Sequence, residues 1–455
     1  MAAWLAPALA YIPQWFDYQI TALGLPGASL AVAHDGRVAL AHTIGVANLD
    51  TGEKLTPAHR FRVASHSKAF TAVAVMKLVE AGRLRLDDRA GQHVAGLHKD
   101  VARATIAQLL SHTAGITRDG DDTGQWSDRR PFLNEAELRA ALAVAQPIPA
   151  NTRMKYSNHG FGLAGLVIAA VTGESYNAWI AREIIAPAGL PHTTPDAPLA
   201  KRTPFARGHA SPALLGKRFV IPADNPTHAL AAATGFISTP SDLACFFGSL
   251  DPAAKSSILT VESRRELTRR HWHIPGLPAD RHYGLGTSQA DLGTWTTFGH
   301  GGGFQGVRTY TSAAIGQGLI VSVALHATDG EPNGLAENTL RILQTFATNG
   351  PAGKKIADWS GRFWSVWGPA DFIPMASKIL IAQPGQPNPF TDATELTPTG
   401  PDTARITSAT GYASYGQTGR LVRDKSGRVS EIILAGGRLT DQAAAIAEAR
   451  ERYGA

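Results

Sequence analysis

A chain of 455 residues is longer than one hydrophobic core ordinarily fills, so more than one domain is expected. Hydrophobic residues make up 44% and charged residues 18%, the balance of an ordinary globular protein. The net charge of +6 is scattered in nothing longer than pairs such as Arg129-Arg130 and Lys354-Lys355, which excludes the clustered basic footprint of a nucleic-acid partner.

One cysteine, Cys245, excludes an intrachain disulfide, and its neighbours Phe246 and Phe247 make it a buried structural thiol. No segment reaches the ~20 apolar residues that cross a bilayer, so no membrane partner is expected. The opening Met1-Ala2-Ala3-Trp4-Leu5-Ala6-Pro7 lacks the basic region of a secretory signal. A cytoplasmic location is the expectation. A mature exported form is the alternative, with Ala8-Leu9-Ala10 as a mimic of a cleavage site.

Residues 28 to 44 read as a hairpin, with Leu30, Val32, Val38 and Leu40 alternating about an Asp35-Gly36 turn. Residues 65 to 81 are apolar nearly all round, the pattern of a buried helix, and Gly82 stops it. Asn134 and Glu137 make a capping box ahead of Leu138 and Leu142. Helices follow at 159–172, ending at Gly173, and at 175–186, ending before Pro187. Strands are expected at 304–311 and 318–326, and a further helix at about 335–348. With strands first and last and helices between them, the outer strands must meet in one antiparallel sheet flanked by helices. Residues 1–348 thus read as an α+β domain with a helical subdomain. Asn349-Gly350-Pro351-Ala352-Gly353 opens a linker over 349–356. Residues 357–455 carry short strand-like runs: Arg362 to Trp367, Lys378 to Ala382, Arg405 to Thr407, Gly419 to Arg423 and Val429 to Leu434. They read as a small all-β barrel or sandwich, closed by a charged helix near 440–452.

Ser65 and Lys68 lie three apart where the buried helix begins, so the hydroxyl and the amine share one helical face. The helix N-terminus adds partial positive charge and free N–H donors, which lowers the cost of an alkoxide at Ser65. Ser-x-x-Lys alone is a common tetrapeptide; two motifs downstream give it weight. Tyr156-Ser157-Asn158, at a loop-to-helix junction, offers a phenolic oxygen and an amide to one point in space. Beside Lys68 the phenol is expected to move toward phenolate, taking the Ser65 proton or returning it to a leaving group. Taken alone, such a tyrosine more commonly bonds to backbone.

Gly299-His300-Gly301-Gly302-Gly303 precedes the strand-like Val307 to Thr311. Glycines on an edge strand let a substrate backbone come close, and the Gly303 N–H is free to pair with that of Ser65 as an oxyanion hole. His300 is placed to polarise the site or assist proton transfer, although a lone histidine beside glycines is more often a turn residue. Gly301 to Gly306 also spells G-x-G-x-x-G, but a strand follows it where a dinucleotide site requires a helix.

These three motifs, in this order, resemble the serine β-lactamase and penicillin-binding-protein superfamily, in its class C-like branch. That branch holds β-lactamases, DD-carboxypeptidases, D-aminopeptidases, esterases and cyclising thioesterases. The resemblance covers about residues 12 to 347. Phe61 to Leu86, continuing into Asp87-Asp88, looks like the family's nucleophile helix. Gln108 to Ile116 is similar to its "LLSHTSG" block, Gly235 to Leu243 to its "G-STP-DL" segment, and Tyr283-Gly284-Leu285-Gly286 precedes the His-Gly-Gly strand as it does there.

The resemblance implies that Ser65 is the acyl-accepting nucleophile, that Lys68 and Tyr156 handle its proton and that Asn158 holds the substrate amide. It places His300 where the lactamases carry the lysine of Lys-Thr-Gly, and makes Gly301, Gly302 and Gly303 the substrate-binding strand. It implies small-molecule or peptide substrates and no cofactor. No metal is expected either: His271-Trp272-His273 has alternating ligand spacing, but no cysteine or carboxylate cluster joins it. The block from about residue 355 resembles, more loosely, the lipocalin-like barrels of some D-aminopeptidases and peptide-cyclising members.

Members that bind a free carboxylate meet it with hydroxyls and a lysine, where this chain has His300, Gly301 and Gly303. Their loss removes charge-assisted hydrogen bonds of roughly 1.5–3 kcal/mol each, so poor penicillin hydrolysis and poor DD-carboxypeptidase activity are expected. The polar stretch Thr117 to Arg130, with Asp119, Asp121, Asp122 and Asp128 beside Trp126, fits either a solvated loop or a rim that prefers a substrate with a free amine. The expected function is a serine hydrolase forming an acyl-enzyme on small esters, amides or D-residue peptides. The alternatives among enzymes are an acyltransferase or peptide cyclase, with an amine in place of water, and a β-lactamase or DD-carboxypeptidase. A silent penicillin-binding-like sensor is the alternative outside them, and it needs none of Ser65, Lys68 and Tyr156.

Overall fold

The computed structural model describes residues 2–277 and 280–454. The chain divides into two compact units: Leu25–Glu337, and Met1–Gly24, which carries helix α1 (Leu5–Ala22), together with Asn338–Ala455.

In the larger unit β1 (Gly27–His34) turns at Asp35-Gly36 into β2 (Arg37–Asn48), and both turn residues take the positive φ that a tight hairpin needs. After β3 (Glu53–Lys54) the chain enters α2 (Ser67–Glu80), in which every residue from Ser67 to Met76 is buried. The all-round apolar pattern is explained by its neighbours: α2 packs on α3 (Asn158–Thr172), on the Ala231–Gly235 turn and on the Val261–Leu267 helix. Phe70 stacks between Phe246 and Phe236, with centroid separations of 3.8 and 4.4 Å. The capping box forms as read, Asn134 Oδ1 accepting from Glu137 N at 3.0 Å and Glu137 Oε2 from Asn134 N at 2.9 Å.

The sheet is completed by β4 (Trp272–His273), β5 (Arg281–Tyr283), β6 (Ser288–Leu292), β7 (Trp295–Phe304), β8 (Val307–Ala314) and β9 (Leu319–Leu325). Its nine antiparallel strands run β3-β2-β1-β9-β8-β7-β6-β5-β4. First and last strands therefore do meet: Leu30 faces Val323, and Val32 faces Val321. Helix α4 (Pro240–Ser249) lies on β1, β8 and β9, and β9 is buried along its whole length.

The strand expected at 304–311 is broken by a two-residue turn, Gln305-Gly306, with Gly306 at φ +71°. The glycine strand is also not an edge strand. β7 sits between β8 and β6, but β6 pairs with it only as far as Gly299, so His300 to Phe304 overhang. The glycines gain an open edge inside a sheet, which composition alone does not reveal.

The second unit holds a closed antiparallel barrel of eight strands: β10 (Gly361–Ser365), β11 (Gly368–Met375), β12 (Lys378–Ala382), β13 (Thr394–Pro398), β14 (Thr403–Ser408), β15 (Thr418–Arg423), β16 (Val429–Leu434) and β17 (Gly437–Thr440). Trp359, Phe363, Phe372, Leu396, Ile406 and Ile432 fill its core. The three strands not anticipated have clear disguises: β11 contains Pro369 and Pro374, β13 has one large apolar residue, and β17 is four residues long. The helix Gln442–Tyr453 buries no residue, as its charged sequence requires.

Candidate active site

Ser65 sits in a single 3-10 turn, Ala64–His66, between the short strand Phe61–Arg62 and α2. Ala64 takes φ +46°, a left-handed conformation that an alanine adopts only when its surroundings enforce it. The enforcement is visible on both sides. His66 Nδ1 bonds Val63 O at 2.9 Å and its Nε2 meets Thr311 Oγ1 at 3.0 Å, while the Ser67 hydroxyl donates to Ala64 O and accepts from Phe236 N. Burial pushes the His66 imidazole down to about 4, so it is neutral, donating from Nδ1 and accepting at Nε2. Among the described residues no backbone oxygen accepts the Ser65 N–H.

The Ser65 hydroxyl lies between two groups. Tyr156 Oη donates to Ser65 Oγ at 2.7 Å, and Lys68 Nζ lies 3.1 Å from the same oxygen. Lys68 Nζ is also 2.8 Å from Asn158 Oδ1 and 2.8 Å from Ala233 O, and its side chain is wholly buried. Burial holds this amine well below the ordinary lysine range, against the opposing pull of the Asp119 carboxylate. Its three neighbours suit the neutral form: two N–H bonds go to Asn158 and Ala233, and the lone pair faces the Ser65 proton.

Tyr156 departs from expectation. Its phenol is driven up by burial, more strongly than its bond to Ser65 and the Arg118 guanidinium draw it down. Lys68 Nζ lies over its ring at 4.6 Å from the centroid. In the resting site the tyrosine is a hydrogen-bond donor to Ser65 Oγ.

Asn158 is the first residue of α3, after the N-cap Ser157, whose Oγ accepts from Gly160 N at 2.8 Å. The family role expected for it is to hold a substrate amide. Here its two ends meet protein groups: Oδ1 takes the Lys68 bond, and Nδ2 donates to Asp119 Oδ1 at 2.7 Å. Asp119 is nearly buried and is closed on its other oxygen by Arg118 Nε at 3.0 Å.

His300 stands on β7 with Nδ1 2.6 Å from Gly301 O, and its Nε2 accepts the Tyr283 hydroxyl at 2.8 Å. Burial, with Lys68 and His66 nearby, pushes it down to about 3. It is a neutral ring and brings no cation to the site. His112, at φ +60°, packs at a tilt against Tyr156 at 4.1 Å and Tyr283 at 4.8 Å, and its Nδ1 accepts from Ser157 N at 3.1 Å. His112 thus packs on the Tyr156 ring and is backed by Tyr283.

The register explains the glycines. Loops 293–294 and 305–306 each have two residues, and alternation from both makes residues 299, 301 and 303 direct N–H and C=O toward the β6 side. Since β6 ends its pairing at Gly299, the Gly301 and Gly303 N–H groups have no strand partner on that side. A Cβ at Gly302 would lie 2.1 Å from Val63 O, so β7 rests directly on the turn that carries Ser65; a Cβ at Gly303 meets nothing within 4 Å. Ser65, Lys68, Tyr156, Asn158, Gly302 and Gly303 therefore belong to one constellation, with His300 on its wall.

The remaining candidates fall elsewhere. Asp121 is exposed, Asp122 is tied to Arg130 at 3.1 Å and to Gly124 N, and Asp128 accepts from Asn225 Nδ2 at 3.1 Å. Of the acidic stretch, Asp119 alone bonds directly to a residue of the constellation. Cys245 is half-buried on α4. His271 and His273 join no group of potential metal ligands among the described residues. Sequence reasoning gave no role to Asp119 beyond the acidic run, nor to His112 and Tyr283 beyond family-like blocks. The Ala233 carbonyl was beyond its reach, since a backbone acceptor leaves no trace in residue identity.

Comparison with known proteins gives the fold and the family. Protein flp of Staphylococcus aureus (strain MW2) is 32% identical over 174 residues, 37% of this chain and 35% of the relative, so the chain spans about a third of that protein's length. The solved structure of the octameric penicillin-binding protein homologue from Pyrococcus abyssi superposes with a TM-score of 0.66 at 22% identity, over 94% of this chain and 99% of that one. The D-stereospecific amidohydrolase from a Streptomyces species gives a TM-score of 0.61 at 26% identity, over 74% of this chain and 97% of the other. The Beta-lactamase family model matches residues 12–346, and the chain belongs to that family.

Proposed function

We propose that this protein is a serine hydrolase that forms an acyl-enzyme at Ser65 with small esters, amides or D-residue peptides. The observation that carries the reading is the Ser65 Oγ held at 2.7 Å from Tyr156 Oη and 3.1 Å from the buried amine of Lys68. A binding module has no use for a desolvated base aimed at a hydroxyl.

Ser65 Oγ attacks the carbonyl carbon while its proton passes to the Lys68 lone pair. The N–H groups of Ser65 and Gly303 receive the oxyanion. As the tetrahedral species collapses, Tyr156 gives its proton to the leaving atom, and the new phenolate is stabilised by the Lys68 ammonium. Water then gives a proton to the phenolate and attacks the ester carbonyl, and Lys68 returns its proton to Ser65 Oγ. Likeness to a D-stereospecific amidohydrolase supports amides among the substrates. The neutral His300 supports poor use of penicillins and of C-terminal carboxylates, since no cation stands at that position.

Incubation with a fluorophosphonate, followed by peptide mass mapping, tests the reading. The expected adduct is on Ser65, and Ser65→Ala loses both labelling and turnover across a panel of esters, D- and L-amino-acid amides and β-lactams. An adduct elsewhere, or full turnover in Ser65→Ala, overturns it. Penicillin clearance near ~10⁶ M⁻¹s⁻¹ would overturn the substrate preference alone.

A further inference from the structure

We propose that the site takes acyl groups that end in a carboxylate, and that Arg308 reads this group inside a cavity opening at Gly303. The inference rests on the acyl-enzyme reading and names the substrate class within it.

The cavity measures about 700 Å³ and is walled by Trp126, Phe304, Phe219 and Ile221. Gly303 and Arg308 both line it and are Cα partners across β7 and β8, so their side-chain positions share one face of the sheet. Because Gly303 has no side chain and its Cβ position is open, nothing on that strand separates the oxyanion amide from the Arg308 side of the cavity.

The direction of the cavity identifies the part of the substrate. The leaving atom must face Tyr156, which supplies its proton, and Tyr156 packs on His112, which packs in turn on Tyr283. None of these residues lines the cavity. The substituent on the other side of the scissile carbonyl, the acyl group, is the one that enters.

Charge then selects its terminus. Arg308 is exposed, and no carboxylate lies within ion-pairing distance of it among the described residues. The other charged residue of the lining, Asp128, already accepts the Asn225 amide at 3.1 Å. Arg308 brings a guanidinium without a carboxylate partner, which matches a carboxylate in bidentate geometry, and the aromatic walls match the carbon chain that carries it.

Three p-nitrophenyl esters of equal chain length test this: the monoester of suberic acid, the octanoate and the 8-aminooctanoate. The readout is the ratio of kcat/KM values, with fluorophosphonate labelling of Ser65 recorded in parallel. The wild type is expected to prefer the suberyl ester to the octanoyl ester by about tenfold. Arg308→Gln is expected to bring that ratio to near unity, and Asp128→Asn to leave it at or above the wild-type value. Equal rates for the suberyl and octanoyl esters, a preference that survives Arg308→Gln, or a fastest aminooctanoyl ester overturns the subsite. Labelling at Ser65 with any of those outcomes leaves the acyl-enzyme reading standing; absence of labelling overturns both.

Discussion

Asn158 donates its amide hydrogens to Asp119 at 2.7 Å, and this bond decides which way the Asn158 carbonyl faces. A carboxylate only accepts, so the NH₂ end must lie toward Asp119 and the oxygen must lie toward Lys68. The acid is thereby a positioning residue for the base, through one intervening amide. It also acts on the base directly, since its charge favours the Lys68 ammonium.

Asp119→Asn removes both effects. The Asn158 amide loses its reason to stay oriented, and kcat is expected to fall by about tenfold, a part of what a positioned base contributes. The acidic limb of the kcat/KM profile should move to lower pH, because the group that held the Lys68 pKa up is gone. Steady-state kinetics from pH 5 to 10 on one activated ester provide the measurement. A lower kcat with an unmoved limb would assign Asp119 a purely structural role.

On the proposed mechanism Lys68 acts as a neutral amine, so turnover is expected to be lost as pH falls through its lowered pKa. Arginine cannot take that part, because it stays protonated. Lys68→Arg and Lys68→Met are both expected to lose 10²–10⁴-fold in kcat/KM, the usual span for a general base. The methionine variant guards against misfolding, since it places no charge in the buried site. Retention of activity within tenfold in a folded Lys68→Met protein would show that the base is another group.

Much of this arrangement could be read from the chain, for definite reasons. The helix under Ser65 announced itself because α2 is buried on every side, which leaves its sequence apolar all round. The meeting of β1 with β9 followed from the order of elements, and the capping box from Asn134 and Glu137. What escaped depends on through-space balance. Tyr156 next to a lysine suggested a phenolate, yet the desolvation that weakens Lys68 as a cation also weakens Tyr156 as an anion. The bond from Asn158 to Asp119 was not anticipated, because the acid lies 39 residues away in a polar stretch that reads as solvated loop. The barrel strands with two prolines or a single large apolar residue were hidden because closure, not local propensity, holds them in place.

Gly302 should tolerate no side chain. A methyl there would lie 2.1 Å from Val63 O and 2.7 Å from Thr309 Oγ1, and Val63 belongs to the connection into the Ser65 turn. Gly302→Ala must push β7 and that turn apart, with an expected cost of about 1–3 kcal/mol in stability. Displacement of order 1 Å at the nucleophile costs about 10²-fold in rate, so activity should suffer beyond the stability loss. Gly303→Ala is the contrast: its Cβ meets nothing within 4 Å, and its melting temperature should match the wild type. Equal stability of the two variants, by differential scanning calorimetry, would contradict this packing.

The same burial that shapes the site should make the fold acid-labile. His66, His300 and His326 are all buried, and burial pushes them down to about 4, 3 and 3. Each is neutral in the folded protein, while in the unfolded chain each takes a proton near its ordinary value of ~6.5. Between pH ~6.5 and ~4 the unfolded state therefore binds more protons, and stability must fall as pH falls. At roughly 1.4 kcal/mol per pKa unit, each ring accounts for a few kcal/mol, and three together rival the ~5–15 kcal/mol of a typical domain. Urea midpoints should be level from pH 7 to 8 and drop steeply below pH 6. His66 bonds Thr311 and Val63 beneath the nucleophile, so fluorophosphonate labelling of Ser65 should decline over the same interval. A midpoint that holds constant down to pH 4 would mean that these imidazoles are already charged in the folded protein, and the neutral hydrogen-bond pattern assigned to His66 and His300 would be wrong.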